Sequence, residues 1–379
     1  MKKLDEFIPY GRQCIDEEDI QAVVDVLRSP FLTTGPKIAE FEKSIADYVG
    51  AKYAVAFSNG TAALHGACYA AGIGEGDEVI TSPITFAASA NCVRYMNGKV
   101  IFADIDEKTY NIDVNEIEKL ITPRTKAIIP VDFTGQPADM DPIMELAKKH
   151  QLIVIEDGAH SLGATYKGRK VGKLADMTMF SFHPVKPVTT AEGGVIVTDN
   201  EEYYKKMLRF RGHGIEQTAY ALEQGNWYYE MTDLGYNYRM TDVQAALGIS
   251  QMEKLDTFIG IRQELANFYN EQFVTDKEFT VPYQLPNTLS GWHLYSIKLP
   301  EYVDRKKVFE LLREANIGVH VHYIPVYWHP YYAKLGYQKG LCPKAEKWYE
   351  QALTLPLHTN LLPVDVIKIS KIIKENIYE

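Results

Sequence analysis

The sequence predicts an α/β protein in which a large domain with a mainly parallel sheet precedes a small α+β domain. Short apolar runs alternate with amphipathic helical patterns over the first two thirds of the chain, which is the order expected of βαβ units. The last third differs, because few strand-like runs are mixed with helices there. The chain has 379 residues and is 46% hydrophobic, enough for an ample core. We therefore expect an N-terminal arm over 1–14, a large domain over 15–250 and a small C-terminal domain over 251–379.

The elements of the large domain follow from their hydrophobic periods. Helical spacing predicts two amphipathic helices near residues 20–27 and 38–48. Short apolar runs predict the strands YAVAF, DEVIT, VIFADI, AIIPV, LIVIE, MTMFSF and GGVIVT. The intervening helices are AALHGACYAA, ITFAASANCVRYM, VNEIEKLI and MDPIMELAKKH. Strands of this kind, apolar at most positions, are typical of a parallel sheet that is buried on both faces.

The rest of the chain has a different pattern. Residues 201–210 read as a helix, 211–240 as a long aromatic loop, and 242 to about 269 as one long helix. A long aromatic loop in a compact enzyme is more often functional or at an interface than accidental. The C-terminal elements are predicted as the strand HLYSIKL, the helix RKKVFELLREA, the strand GVHVHYIPVY and the helix VIKISKIIKENI.

Composition and charge exclude several function classes. The net charge of −10 disfavours a general binder of nucleic acid or of anionic membranes. No run approaches the ~20 apolar residues of a membrane helix, and the N-terminus MKKLDEFIPY has no apolar signal core. The four cysteines lie far apart, which fits a reducing compartment. We expect a cytoplasmic enzyme that binds neither nucleic acid nor membrane.

Two closely spaced histidines raise the question of a metal. His320 and His322 are two residues apart, so on a strand they share one face and Tyr323 points the other way. No third ligand is evident in the sequence, and no CxxC or Cys/His cluster occurs. We therefore predict no metal site and favour structural or substrate-facing histidines.

An acid and a lysine mark the central candidate site. Asp157 ends the apolar run LIVIED, and Lys186 lies between two further strand-like runs. A lysine can form a Schiff base with an aldehyde, and an aspartate can hold a ring nitrogen protonated. Pyridoxal 5′-phosphate (PLP) needs both groups. The plain alternative is a capped buried strand followed by a solvated surface lysine.

A turn at residues 58–61 predicts an anion site. Ser58, Asn59, Gly60 and Thr61 follow the strand YAVAF and open a helix, so backbone N–H groups and a hydroxyl meet at a helix N-terminus. The alternative is an ordinary N-cap by Ser58 or Asn59. Because ligands of parallel sheets gather at the carboxyl ends of the strands, we expect this turn to converge with residues 83–86, Asp157 and residues 181–186. Phe86 could then stack on an aromatic cofactor or simply belong to the core.

Seven segments, in order along the chain, carry a family resemblance: FLTTGPKIAEFE, SNGTAAL, SPITF, EDGAHSLGA, FSFHPVK, AEGG and GYNYRMTD. Together they resemble the DegT/DnrJ/EryC1/StrS family of PLP-dependent sugar aminotransferases. The resemblance spans the whole chain and implies fold type I of the PLP-dependent transferases, the aspartate aminotransferase-like fold. Val185-Lys186-Pro187 stands where many relatives read TKN, and His160 stands where relatives often carry glutamine.

The resemblance implies roles for individual residues. Lys186 would carry PLP as a Schiff base and then shuttle a proton, while Asp157 would pair with the pyridinium nitrogen. Phe86 would stack on one face of the ring and His160 would lie near the other. The phosphate would be bound by Gly60, Thr61 and Ser181 and, from the neighbouring subunit of a homodimer with shared sites, by Asn237. The residues expected to contact the sugar nucleotide are Tyr10, Thr33, His322 and Tyr323.

The resemblance also implies a reaction. The segment FSFHPVKPVTTAEGG is most similar to transaminases of pseudaminic-acid biosynthesis. This implies transfer of an amino group from L-glutamate to C4 of a UDP-linked 4-keto-6-deoxy-N-acetylhexosamine, giving UDP-4-amino-4,6-dideoxy-N-acetyl-β-L-altrosamine. The alternatives are an aminotransferase for another UDP- or dTDP-linked keto sugar, a PLP-dependent sugar dehydratase, and a non-catalytic PLP-binding protein. Dehydratases of the family replace the lysine with histidine, so Lys186 argues against that activity.

Overall fold

The structure, a computed structural model, describes residues 3–274, 276 and 278–378. The α-helices are α1 Glu17–Leu27, α2 Pro36–Val49, α3 Gly60–Ala70, α4 Ala88–Tyr95, α5 Val114–Leu120, α6 Met140–His150, α7 Glu201–Arg211, α8 Ala219–Gln224, α9 Asp242–Met252, α10 Leu255–Phe273, α11 Arg305–Glu314, α12 Pro330–Lys334, α13 Pro343–Gln351 and α14 Pro363–Tyr378. The strands are β1 Tyr53–Phe57, β2 Glu78–Thr81, β3 Lys99–Phe102, β4 Thr125–Ile129, β5 Ile153–Asp157, β6 Thr165–Tyr166, β7 Arg169–Lys170, β8 Met177–Ser181, β9 Gly194–Thr198, β10 Ile215–Glu216, β11 Glu230–Met231, β12 Thr288–Leu289, β13 Tyr295–Lys298 and β14 Ala352–Leu355.

A seven-stranded sheet in the order β1-β9-β8-β5-β4-β2-β3 forms the centre of the fold. Neighbouring strands from β8 through β3 pair in parallel, whereas β9 runs antiparallel to both β1 and β8. Each of the seven apolar runs singled out in the sequence forms one of these strands. The predicted α/β class with a mainly parallel sheet is therefore confirmed.

The sheet is buried on both faces, which explains why its strands are mostly apolar. β8 and β9 alternate their side chains between two hydrophobic clusters, so Met179 and Ile196 pack on one face while Phe180 and Val197 pack on the other. A strand that is covered on both sides buries every side chain, whereas a half-exposed strand would need alternating polar residues. Helices that alternate with the strands supply most of the cover, and Tyr332 of α12 and Trp348 of α13 join the cluster on the Met179 face.

A third hydrophobic cluster lies in the C-terminal part of the chain. It joins α10, α11 and α14 to the antiparallel pair β13–β14, with Tyr295 opposite Leu355. The N-terminal arm packs against this part, because the Leu4 N–H donates to the Ala315 carbonyl at 3.0 Å and the Ile8 N–H to the Asn316 carbonyl at 2.9 Å. Among the described residues, no helix combines the length and the apolar character that crossing a membrane requires.

Three element predictions were wrong in detail. The predicted long helix from residue 242 is two helices, α9 and α10, separated at Glu253 and Lys254. The predicted strand GVHVHYIPVY forms only an isolated bridge, between His320 and Thr354, among the described residues. The predicted loop 211–240 contains the helix α8 and the short antiparallel pair β10–β11.

Candidate active site

A cavity of about 640 Å³ opens at the carboxyl ends of the parallel strands. β1, β5 and β8 end at Phe57, Asp157 and Ser181, so the residues that end or follow them meet at one edge of the sheet. The residues predicted for the site that line this cavity are Tyr10, Gly60, Thr61, Phe86, Asp157, His160, Ser181, Lys186, His322 and Tyr323. The structure thus brings together groups that the sequence separates widely.

Asp157 presents a buried carboxylate to the cavity. The Ser89 hydroxyl donates to its Oδ2 at 2.6 Å, and the Ala159 N–H donates to its Oδ1 at 3.2 Å. Burial raises the pKa of Asp157, while these two hydrogen bonds and the charge of Lys186 act in the opposite direction. A carboxylate held in this way is suited to pair with a cationic ring nitrogen, because a positive partner offsets the cost of burying the charge.

The amine of Lys186 lines the same cavity. Its Nζ lies 3.3 Å from Nε2 of His293. The Lys186 N–H donates to the carbonyl of His183 at 2.9 Å in the turn that leads from β8 towards β9. Burial lowers the pKa of Lys186 to about 7, opposed by the negative charge of Asp157 and assisted by the positive charge of Arg262. A large fraction of the amine is therefore neutral near pH 7 and able to act as a nucleophile or a base.

A cradle for an anion lies where α3 begins. The Asn59 side chain caps the helix by accepting the Ala62 N–H at 2.8 Å. The first N–H groups of a helix have no intrahelical partner, and the helix dipole favours an anion there. Ser181 adjoins the turn, since a Cβ on Gly60 would lie 3.4 Å from its Oγ. Backbone N–H groups and hydroxyls of Gly60, Thr61 and Ser181 are thus available as hydrogen-bond donors in the same part of the cavity.

Gly194 allows this cradle to lie against the sheet. A Cβ at position 194 would be 2.6 Å from the Asn59 carbonyl oxygen and 2.7 Å from the Gly60 Cα. Real Cβ atoms essentially never approach so closely, so any side chain would push the turn away from β9. The glycine pair that follows Glu192 in the sequence therefore marks a close backbone approach.

His160 and Phe86 border the cavity with aromatic rings. His160 is buried, its Nε2 lies 3.3 Å from the Tyr323 hydroxyl, and its buried Nδ1 has no partner among the described residues. Burial, and secondarily the charges of Lys186 and His322, hold the pKa of His160 well below its usual range. Phe86 remains 63% exposed although it lines the cavity, so it offers a ring face to a ligand.

Tyr10, His322 and Tyr323 form another part of the cavity wall. The Tyr10 ring lies 5.4 Å from the His322 ring, and His322 Nδ1 lies 2.9 Å from the Thr354 hydroxyl. The expectation that Tyr323 faces away from His322 was wrong, because both side chains line the cavity. The segment is not a regular strand, so alternation does not apply to it.

Thr33 and Asn237 do not reach this cavity within one chain. Both are exposed, and in the described structure they belong to isolated bridges with Thr241 and Gly212 respectively. The cavity lining includes neither of them among the described residues. Asn237 was expected to act on a neighbouring subunit, so its role stays a prediction. The role of Thr33 stays a prediction as well.

His293 is a site residue that the sequence did not reveal. It lines the cavity, is 4% exposed, and contacts both Lys186 and the ring of His160. It precedes β13, in the C-terminal part of the chain. The only signal in the sequence is weak, namely an ionisable residue at the start of an apolar run, and nothing there indicates its spatial neighbours.

The residues present fit PLP. The cavity holds an amine with a lowered pKa, a buried carboxylate and an anion cradle, and these match the aldehyde, the ring nitrogen and the phosphate. The unpartnered Nδ1 of His160 is a further polar atom that a ligand could satisfy. The fit therefore involves groups from β5, β8, α3 and the loops that follow the strands.

Comparison with known proteins agrees with this fit. The profile of the DegT/DnrJ/EryC1/StrS aminotransferase family matches residues 13–374. The spore coat polysaccharide biosynthesis protein SpsC of Bacillus subtilis is 42% identical over 99% of this chain and 98% of its own length. The UDP-4-amino-4,6-dideoxy-N-acetyl-β-L-altrosamine transaminase of Campylobacter jejuni is 40% identical over 98% of this chain and 96% of its own length.

Solved structures of similar sequence share the whole fold. Helicobacter pylori PseC, an aminotransferase involved in the biosynthesis of pseudoaminic acid, superposes with a TM-score of 0.93 at 34% identity, over 98% of this chain and all of that one. The PMP form of the sugar aminotransferase Spr1654 from Streptococcus pneumoniae also gives a TM-score of 0.93, at 32% identity, over 97% of this chain and 98% of that one. The cofactor of this chain is PLP, and the chain is a nucleotide-sugar aminotransferase that belongs to the DegT/DnrJ/EryC1/StrS aminotransferase family.

Proposed function

We propose that this chain transfers the amino group of L-glutamate to C4 of a UDP-linked 4-keto-6-deoxy-N-acetylhexosamine. The product is UDP-4-amino-4,6-dideoxy-N-acetyl-β-L-altrosamine, a precursor of pseudaminic acid. The supporting observation is similarity along nearly the entire chain to a transaminase named for this product, together with a cavity that retains both Lys186 and Asp157. In this proposal L-glutamate is the amino donor and the keto sugar is the amino acceptor.

Lys186 is assigned the proton transfers. PLP, when bound, supplies an aldehyde for an amine and a ring that withdraws electrons from the carbon under attack. The Lys186 amine would take a proton from the α-carbon of the donor and deliver it to C4′ of the cofactor, on the other side of the transferred nitrogen. Its pKa of about 7 suits both directions, because a general base works best when its pKa lies near the operating pH.

Asp157 is assigned to hold the ring nitrogen in its protonated state. The two hydrogen bonds from Ser89 and Ala159 orient its carboxylate and favour its charged form. The Gly60–Thr61 turn and Ser181 hold the phosphate. Tyr10, His322 and Tyr323 contact the sugar nucleotide, and their neutral polar groups suit the hydroxyl and carbonyl oxygens of a sugar.

The active unit is proposed to be a homodimer with shared sites. Segment 211–240 leaves several large apolar side chains exposed, among them Trp227 at 79% and Leu234 at 72%. Exposed apolar side chains of this size favour a protein interface. Asn237 of the partner subunit would then complete the phosphate site.

An aminotransferase for a different nucleotide-linked keto sugar is the second candidate. SpsC, a protein named for spore coat polysaccharide biosynthesis, is as similar to this chain as the altrosamine transaminase is. Both candidates use the same lysine and aspartate, so they differ in the sugar and in the nucleotide.

The reverse reaction distinguishes the two candidates. Purified enzyme is given 2-oxoglutarate with each member of a panel of UDP- and dTDP-linked amino sugars, and glutamate formation is measured. The proposal expects the altrosamine derivative to give the highest kcat/KM. Preference for another amino sugar would overturn the sugar assignment. Failure of every amino sugar, together with no response of the cofactor absorbance to glutamate, would overturn the reaction itself.

A further inference from the structure

His293 occupies a position that none of the assigned roles explains. Its imidazole lies with Nε2 3.3 Å from Lys186 Nζ and with its ring centroid 4.4 Å from that of His160. The side chain is 4% exposed, and its Nδ1 has no partner in the described part of the chain. Burying a polar side chain with one nitrogen unsatisfied lowers the stability of the fold. The protein tolerates this cost at His293, which suggests that the contact between Nε2 and Lys186 has a function.

The backbone that carries His293 is held from two sides. The buried Arg262 of α10 donates through Nη1 to the carbonyls of Trp292 at 3.1 Å and His293 at 3.3 Å. The Gly291 N–H donates to the Gly135 carbonyl at 2.8 Å in the large domain. The imidazole is therefore fixed relative to both the sheet and α10.

Trp292 adopts a conformation that bulky residues seldom take. Its φ is +42° and its side chain is buried, with Nε1 donating to Gln263 Oε1 at 2.9 Å. Such a residue in the left-handed region is costly and persists only where its surroundings hold it. This strained residue immediately precedes His293, and strain of this kind is concentrated at functional sites.

The charges around the imidazole favour its neutral form. Burial is the main cause of its lowered pKa, and the basic groups that face it, namely Lys186, His160, Arg262 and His322, lower the pKa further. A neutral imidazole can accept a hydrogen bond from the amine or donate one to it. Because the pKa of His293 lies below that of Lys186, the imidazole does not compete with the amine for a proton.

We propose that His293 is a positioning residue that holds the Lys186 amino group during the part of the reaction in which that amine is not bonded to the cofactor. The inference rests on the proposed role of Lys186 in carrying a proton between two carbons. A lysine side chain has four rotatable bonds, and a fixed partner restricts the positions that its amine can take. His293 acts through Lys186, so its loss should slow the proton transfer and leave donor binding intact.

Two variants and one control test this role. His293→Leu removes the hydrogen bond at similar size, and His293→Gln keeps an uncharged hydrogen-bonding group. His358→Leu is the matched control, because His358 is also 4% exposed, has a pKa lowered to about 4, lies near Arg262, and lines a different cavity. For each protein we would measure the rate at which glutamate converts the bound cofactor, and the isotope effect with α-deuterated glutamate.

The expected pattern separates positioning from general damage. His293→Leu should slow the conversion on the order of 10²-fold, the cost of misplacing a reacting group by about 1 Å, with unchanged KM for glutamate and a larger isotope effect. His293→Gln should recover most of that rate, and His358→Leu should match the parent protein. An unaltered isotope effect in His293→Leu, or a His293→Gln variant as slow as His293→Leu, would overturn the proposal.

A structural readout does not depend on turnover. In crystals of the protein reconstituted with pyridoxamine phosphate, the amine of Lys186 would not be bonded to the cofactor. Nζ should then lie within hydrogen-bonding distance of His293 in the parent protein and should move in His293→Leu. An amine ordered elsewhere in the parent protein would overturn the proposal even if the enzyme is active. Conversely, an inactive protein with Nζ on His293 would refute the proposed function alone.

Discussion

Replacing Ser89 with alanine tests how the protein holds Asp157. The Ser89 hydroxyl lies 2.6 Å from Asp157 Oδ2 and 2.7 Å from the Thr85 hydroxyl. A serine has a single hydroxyl proton, so donation to Asp157 requires the Thr85 hydroxyl to donate to Ser89. The variant removes both bonds and leaves one oxygen of a buried carboxylate without its donor.

The size of the effect follows from the charge of the acceptor. A hydrogen bond to a charged group contributes about 1.5–3 kcal/mol, which corresponds to about 10- to 150-fold in an equilibrium constant. Loss of the donor should raise the pKa of Asp157 further, because the Ser89 bond is the largest influence that opposes burial. Cofactor affinity, measured by absorbance titration of the cofactor-free protein, should therefore weaken by about tenfold or more.

Ser161→Ala is the matched control for Ser89→Ala. Ser161 donates to the buried carboxylate of Asp132 at 2.5 Å, a similar bond outside the cavity lining. Burial raises the pKa of Asp132 to about 7. Ser161→Ala should therefore lower the free energy of unfolding by about 0.5–3 kcal/mol, the range that spans neutral and charged acceptors, and leave cofactor affinity unchanged. If Ser89→Ala binds PLP within twofold of the parent protein, the reasoning about Asp157 is refuted.

Three further predictions concern the same cavity. Lys186→Ala should abolish turnover and the absorbance of the lysine-bound cofactor; a variant with normal turnover would contradict the assignment of the amine. When PLP is added to cofactor-free protein, the rate at which that absorbance appears should rise with pH and level off above about pH 7. The reason is that burial lowers the pKa of Lys186 and only the neutral amine attacks an aldehyde. A rate that still rises steeply at pH 9 would show that the pKa of Lys186 is not lowered. Gly194→Ala should weaken PLP affinity more than it lowers the melting temperature, since its Cβ would displace the Asn59–Gly60 turn; unchanged affinity in a titration would refute the importance of that contact.

The sequence predicted the sheet because its physical cause is local. A strand that is buried on both faces is apolar at most positions, and the run MTMFSF shows this pattern with only Thr178 and Ser181 polar. Asp157 and Ser181 could be assigned to the site because each ends such a run, and the ends of parallel strands share one edge. For these two residues, the position along the strand was enough to predict that they lie at the site.

The errors arose where distant residues decide the local structure. The break between α9 and α10 falls at Lys254, which pairs with Asp19 of α1 at 3.1 Å, a contact that helical periodicity cannot show. The segment around His320 alternates like a strand, but its backbone pairs with β14 at Thr354 alone among the described residues. His293 was missed because its importance comes from its contact with Lys186, which lies 107 residues earlier in the chain.

The contact between the N-terminal arm and the C-terminal part has a consequence for biosynthesis. The Tyr10 carbonyl accepts the Leu357 N–H at 2.9 Å, so the arm that brings Tyr10 to the cavity is tied to a residue made late. Chains are synthesised from the N-terminus, and their early portions fold first. A nascent chain on the ribosome can thus build the central sheet, whereas the part of the cavity wall that contains Tyr10 is assembled only after residue 357 emerges.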